Sequence, residues 1–237
     1  MTTGVLSFNH HPMSHHPPSP VVITVDGTSG SGKSALAKEL AKALHFCHLN
    51  SGLLYRMVAA EVADKIDDDL EGCLEFLRNA TVEYRPDQHV VFGGQDITDL
   101  THSPHTDRMT PAVAKIPAIR EIVRGWQNRI VKECGNAVVE GRDIGTVVFP
   151  DAKVKIYLEA DIEKRAEWRH LQRKKKGAEE PLEDIRTALH ERDRMDIERP
   201  ESGLRPAPDA HILDASHRTQ EEVLEEALRI VRDTLGS

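Results

Sequence analysis

The apolar positions of the chain alternate between two periods. VVITVD (21–26) is a continuous, mostly β-branched run, the pattern of a strand buried on both faces. After the glycine-rich stretch GTSGSGKS, the period lengthens. In ALAKELAKALHF (35–46), Leu36, Leu40, Ala43 and Leu44 share one helical face while Lys38 and Lys42 point away, which predicts an amphipathic helix. SGLLYRMVAAEVADKI (51–66) predicts a second helix with Ser51 as its N-cap, and LEGCLEFLRNA (70–80) a third. Residues 81–98 interrupt this rhythm. TVEYRP, HVVFGG and QDIT are short extended pieces with Gly93-Gly94 as a turn, which predicts a small antiparallel insertion. A long helix from Pro117, PAIREIVRGWQNRIVKEC, leads into the buried strand AVVEG (137–141), and KVKIYLEA (153–160) is the next strand. Charged helices are expected over about 161–176 and 181–198, then a short strand in HILDAS (211–216). A last helix opens near Thr219, with Glu222 placed for a capping box. Strands alternating with helices predict a parallel sheet covered on both faces.

Composition narrows the class. With 237 residues, 39% hydrophobic and 30% charged, the chain suits one globular core with insertions. No apolar run approaches the roughly 18 residues that span a bilayer, and the start lacks the basic-then-apolar order of a secretory signal. A cytoplasmic protein without a membrane partner is expected. The formal charge of −8 argues against a nucleic-acid polymer as partner, yet leaves room for a local cationic pocket that holds a nucleotide. The three cysteines, Cys47, Cys73 and Cys134, are scattered and odd in number, so free thiols are expected. Residues 1–20 mix His10, His11, His15 and His16 with four prolines and read as a disordered tail, with metal binding the alternative.

The candidate chemistry begins with GTSGSGKS, which fits G-x-x-x-x-G-K-[ST]. Gly27 is followed by Thr28, Ser29, Gly30 and Ser31, then by Gly32, Lys33 and Ser34. The glycines let backbone N–H groups turn inward around phosphate oxygens, and the helix N-terminus adds partial positive charge. Lys33 is expected to bridge the β- and γ-phosphates of ATP, and the Ser34 hydroxyl to bind Mg²⁺. An accidental glycine turn would lack the strand before and the helix after. The motif indicates a nucleoside triphosphate without separating hydrolase, switch and kinase.

Four further segments suggest a second anion site: Arg56 in NSGLLYR, Arg120 in IPAIR, Arg142 and Asp143 in VVEGRDIGTVVFPDA, and Arg192, Asp196 and Arg199 in ERDRMDIER. The last three, spaced by four and three, fall on one helical face. Each arginine alone reads as a solvated charge. Beside a phosphate loop, the set suits an enzyme that must hold donor and acceptor phosphates together against their repulsion. Gly141 and Gly145 read as room for a ligand and a sharp change of direction. Glu140 ends its strand where either a carboxylate behind Mg²⁺ or a structural hydrogen bond would fit. The basic run RKKKG (173–177) reads as a solvated or lid-associated face, because Glu179 and Glu180 follow it.

VDGTSGSGKS, NSGLLYR, EGRDIGTVVFPDA, KIYLEA and ERDRMDIER, in that order, resemble the bacterial cytidylate kinase family over about residues 21–236. The resemblance implies an α/β P-loop nucleoside monophosphate kinase fold in a single domain, 21–237, with its parallel core sheet covered by helices. The core would comprise 21–49, 116–164 and 187–237, with an NMP-binding insertion at about 50–115 and a small lid at about 165–186. It implies transfer of the γ-phosphate of ATP to CMP or dCMP with Mg²⁺, in pyrimidine nucleotide metabolism, and a monomer is expected. By similarity, Ser51, Arg56 and Arg142 surround the CMP phosphate and its approach, Arg192 and Arg199 add phosphate contacts, and Asp196 holds the sugar hydroxyls. Arg120 and Asp143 would read the base, and Arg165 and Arg169 would close over the ATP phosphates. The chain departs from the family pattern at Asn50, where an aspartate is common, at His102, where an arginine is common, and at Pro111, where a serine is common and Thr110 is the nearest hydroxyl. Two other classes compete: a kinase with another acceptor, such as UMP or an alcohol, and a nucleotide-binding regulator, for which no guanine-reading motif is present.

Overall fold

The computed structural model describes residues 20–85, 88–175, 177, 179–200 and 202–236. The histidine-rich segment therefore lies outside the described residues.

The chain opens with β1 (Val22–Gly27), the phosphate-loop motif and α1 (Lys33–Leu44), then β2 (Cys47–Asn50), α2 (Ser51–Val62) and α3 (Leu70–Asn79). A hairpin-like group follows, β3 (Val82–Arg85), β4 (His89–Phe92) and β5 (Gln95–Asp96), then α4 (Pro104–Val113) and α5 (Pro117–Cys134). The second half runs β6 (Ala137–Gly141), a π-helical turn (Ile144–Val148), β7 (Val154–Glu159), α6 (Ile162–Lys175), α7 (Leu182–Ile197), β8 (His211–Asp214) and α8 (Gln220–Leu235). Five strands form a sheet in the order β2-β6-β1-β7-β8, and every pairing in it is parallel. This is the expected α/β architecture. The small antiparallel sheet β3-β4-β5 is also present, and Gly93-Gly94 connects β4 to β5.

Alternation along the strands divides the core into two layers. Ala137 and Val139 of β6 join Leu54, Val58, Ile119 and Val123 from α2 and α5. Val138 of β6, with Ile23 and Val25 of β1, faces Leu36 and Leu40 of α1 and Ala227 and Val231 of α8. A third cluster, Ala166, Ile185 and Leu189, joins α6 to α7 separately from both layers. Burying both sheet faces explains why β1 and β6 read as continuous apolar runs.

Several expectations are corrected. Ala43 is exposed; α1 buries Leu36, Ala37, Leu40 and Ala41, a stripe shifted by the flat contact with the sheet. Ser51 is the first helical residue rather than the cap, and its hydroxyl is taken by Gln127. α2 ends at Val62, four residues before the expected Ile66. Several elements among the described residues escaped sequence reading. β2 is a half-polar edge strand, α4 contains Pro111 within its helix, and the π-helical turn replaces the expected simple turn after β6. Arg199 lies just past the end of α7, so the shared helical face covers Arg192 and Asp196 alone. Finally, Cys47 and Cys134 are paired as a disulfide across 87 residues, because β2 aligns with the strand that follows α5. Of the three cysteines only Cys73 is a free, buried thiol.

Candidate active site

The sheet order determines the site. β1 lies beside β6 with Asp26 opposite Gly141, so the phosphate loop and the Arg142-Asp143 turn leave the sheet side by side at its carboxyl edge. The Asp26 carboxylate fastens the two, accepting the Ile144 N–H at 2.9 Å and the Gly145 N–H at 2.7 Å. Burial raises its pKa to about 6 despite those two hydrogen bonds.

The loop needs glycine at its first position. A Cβ on Gly27 would lie 2.0 Å from the Leu158 carbonyl oxygen. Gly32 caps α1 with a left-handed φ of 92° and no side-chain acceptor, which leaves the first helical N–H groups for an anion. Lys33 is only 7% exposed and its Nζ donates to the Thr28 carbonyl at 2.9 Å. Burial first, and then the nearby Arg142 charge, lower its pKa to about 7. The Ser34 hydroxyl donates to Glu140 Oε2 at 2.6 Å. Glu140 is 2% exposed, and its other oxygen, Oε1, is buried without a hydrogen-bond partner.

Arg142 and Asp143 do not pair with each other. Arg142 Nε donates to Asp196 Oδ2 at 2.7 Å. Arg199 Nη2 reaches Asp196 Oδ1 at 2.6 Å, and Arg192 Nε lies 3.6 Å from Oδ2. Asp196, 4% exposed, is thus ringed by three guanidinium groups. Burial alone would raise its carboxyl, but Arg142, Arg192 and Arg199 together hold it below the ordinary range. Asp143, equally buried, pairs with Arg120, which also donates to the Ala114 carbonyl at 3.3 Å and lies 5.5 Å over the Tyr55 ring.

The glycines flanking this turn do not make room for a ligand. A Cβ on Gly141 would lie 2.6 Å from the Ile144 side chain, and one on Gly145 2.8 Å from Thr24 Oγ1. Protein groups fill that space, and the glycines permit the close packing that fixes the turn.

The remaining candidates form two groupings. Arg165 is buried; its guanidinium donates to the Ser29 carbonyl at 3.0 Å and to Asp193 at 2.5 Å, and Asp193 also accepts the Ser29 N–H at 3.1 Å. Arg56 donates to the Thr101 carbonyl at 2.9 Å and pairs with Asp107 at 2.5 Å. Arg169, lowered by burial and then by Arg173, shares that neighbourhood and feels the charges of Asp107 and Arg56. Ser51 Oγ accepts from Gln127 Nε2 at 2.5 Å. Sequence reading missed Asp26, Asp193, Asp107 and Gln127. Only Gln127 left a signal, as a fully buried polar residue on the apolar face of α5. The aspartates were camouflaged within charged or motif-flanking stretches.

The residues at the loop fit Mg²⁺. A hydroxyl whose hydrogen is given to a buried carboxylate keeps its lone pairs for a cation, and the remaining lone pair on Glu140 Oε2 can take a water on that cation. Mg²⁺ is ordinarily held by one or two such groups plus substrate phosphates. Among the described residues no cluster of three His, Cys, Asp or Glu side chains is placed for a metal.

Comparisons with known proteins identify the family. The family model described as Cytidylate kinase matches residues 23–233. The cytidylate kinase of Geobacillus kaustophilus (strain HTA426) is 36% identical over 221 residues, covering 91% of this chain and 98% of that protein. The cytidylate kinase of Bacillus cereus (strain G9842) is 36% identical over 216 residues, with coverages of 89% and 96%. A solved structure of an uncharacterized protein from Eubacterium ventriosum ATCC 27560 aligns with a TM-score of 0.53 at 11% identity, covering 91% of this chain and 99% of that one, and so supports the fold alone. Phosphate loop, Arg142-Asp143 turn and arginine-ringed Asp196 all lie within the matched segment, and the chain belongs to the cytidylate kinase family.

Proposed function

We propose that this chain transfers the γ-phosphate of ATP to CMP or dCMP, giving ADP and the corresponding diphosphate. The observation that carries the reading is the placement of two arginine-bearing carboxylates, Asp143 and Asp196, beside a phosphate loop at one sheet edge. A coupled assay of ADP release over CMP, dCMP, UMP and AMP tests it; release independent of monophosphate would reject the acceptor. We assign the reaction to the cytoplasm, as a monomer. Among the described residues no helix is long and apolar enough to cross a membrane.

The acceptor phosphate is already anionic, so no strong general base is required, and positioning with charge neutralisation dominates. In this reading Gly27 to Ser34 hold ATP, with Lys33 on its β- and γ-phosphates. Mg²⁺ would be held by Ser34 directly and by Glu140 through water, and it would offset charge on the phosphates. Arg142, Arg192 and Arg199 leave part of their Asp196 contacts to take the CMP phosphate, while Asp196 turns to the sugar hydroxyls. Arg56 and Ser51 guide the phosphate; Arg120 and Asp143 read the base. Residues about 50–115 act as the NMP-binding insertion and about 165–186 as the lid, where Ala166 and Ile185 pack on Leu189, separately from the two main core layers.

Arg165 joins that lid to the phosphate loop through Ser29 and Asp193. Arg165→Ala is expected to lower kcat by about 10²-fold while leaving the KM for CMP little changed. A raised KM for CMP with kcat intact would remove Arg165 from the ATP side.

Lys33 supplies a pH signature. Its pKa of about 7 in the ligand-free protein leaves it mostly neutral at about pH 8. Triphosphate oxygens favour the charged form, so ATP binding should take up close to one proton there and none at about pH 6, where Lys33 is already charged and the γ-phosphate has a proton of its own to release. Titration calorimetry in buffers of different ionisation enthalpy reads that uptake. Equal uptake at both pH values would contradict the assignment of Lys33.

A further inference from the structure

The mechanism leaves Glu140 Oε1 and the imidazole that faces it unused. His48 on β2 is nearly buried, and its Nε2 lies 3.4 Å from Glu140 Oε1. Neither atom has any hydrogen-bond partner. Two buried polar atoms facing each other unpaired are both costly, and one proton between them satisfies both.

The other side of the imidazole shows where the proton sits. His48 Nδ1 lies 3.4 Å from Gln88 Nε2, an amide nitrogen that can only donate. The Gln88 amide is itself oriented by Asn50, whose Nδ2 lies 3.5 Å from its Oε1. Gln88 adopts a left-handed backbone, φ 66°, which a non-glycine residue keeps only when its surroundings hold it there. Nδ1 therefore accepts, and the ring proton falls on Nε2, the nitrogen 3.4 Å from Glu140 Oε1.

We infer that His48 is a positioning residue for Glu140: its Nε2–H holds Oε1, so that Oε2 stays on the Ser34 hydroxyl. Contacts then run from Gln88, between β3 and β4 of the small sheet, through His48 and Glu140 to the phosphate loop. His48 touches neither substrate nor metal. Its effect is to fix the carboxylate that orders the cation side of the loop, as partners behind metal ligands commonly do. The inference rests on the proposed role of Glu140 behind Mg²⁺.

Long-range ¹H–¹⁵N correlation spectra of the ligand-free protein read the tautomer directly, and the Nε2–H form is expected. The Nδ1–H form would overturn the inference. In kinetics, His48→Leu is expected to raise the half-saturating Mg²⁺ concentration about tenfold with the KM for CMP unchanged. His48→Gln, whose amide nitrogen can stand in for Nε2–H, should restore most of the loss. A His48→Leu enzyme with wild-type melting and an ordinary Mg²⁺ requirement would also overturn it. Glu140→Gln separates the two readings. An unaltered Mg²⁺ requirement in that variant would defeat the role of Glu140, whereas the tautomer, measured without metal or nucleotide, decides the His48 contact by itself.

Discussion

Phosphorylation of CMP is expected to exceed that of UMP by a factor on the order of 10⁴ in kcat/KM. The reason lies in Asp143 and Arg120, paired in a buried position beside Tyr55. Cytosine offers an N4 amino donor and an N3 acceptor on one edge. Asp143 can take the N4 hydrogens on its free lone pairs, and Arg120 can donate to N3 or O2. Uracil reverses the edge, setting O4 against the carboxylate and N3–H against the guanidinium, so both buried partners are left unpaired. Thr110 cannot rescue uracil with its hydroxyl hydrogen, which is given to the Thr106 carbonyl at 2.6 Å within α4. Asp143→Asn supplies both a donor and an acceptor, and should narrow the preference by about 10²-fold or more. Initial rates of ADP release on the two monophosphates measure both numbers. Comparable rates on UMP, or an Asp143→Asn enzyme with the full preference, would refute the base-reading assignment.

Asp196→Ala is expected to be the most damaging single change to stability at this site, at about 3–5 kcal/mol. The loss exceeds that of an ordinary surface ion pair because the carboxylate is buried and three guanidinium groups converge on it. Without it Arg142, Arg192 and Arg199, which converge on one point, repel one another. The pH dependence follows from the lowered carboxyl. Its folded pKa lies below its unfolded one, so its contribution is fully present above about pH 4 and is lost as pH falls through the folded value. The gap between wild type and variant should therefore close in acid. Urea unfolding at neutral pH and at a series of lower pH values below about 4 reads both effects, with KM for CMP as a parallel measure. A difference below about 1 kcal/mol at neutral pH would mean that the arginines find other partners.

Much of the site was legible in the chain because it is local. GTSGSGKS names its own conformation, since the strand before it, the glycines and the helix after it are read from contiguous residues. The same holds for Arg142 and Asp143 at the end of an apolar strand. The four-residue spacing of Arg192 and Asp196 likewise foretold one helical face. The errors arose where a neighbour distant in sequence decides. Ala43 sits at the right period for burial and is nonetheless exposed, because the sheet meets α1 along a different stripe. α4 was hidden by Pro111, although a proline in the last turn of a ten-residue helix can be tolerated when tertiary contacts hold the rest.

Contiguous residues carry the phosphate loop, most of the strands and helices, and the charged residues of the candidate second anion site. Their partners follow from the fold. Arg142 turns to Asp196, 54 positions away, and Asp143 to Arg120, 23 positions away. Asp193 holds Ser29 across 164 positions, and His48 faces Glu140 from the neighbouring strand. Gly141 and Gly145 serve close packing rather than a ligand cavity, and two cysteines meet across the chain. Periodicity and turn chemistry record which residues share an element. Pairings between elements depend on the order β2-β6-β1-β7-β8, set by how the crossovers bury both faces of the sheet, and no local window of sequence carries that order.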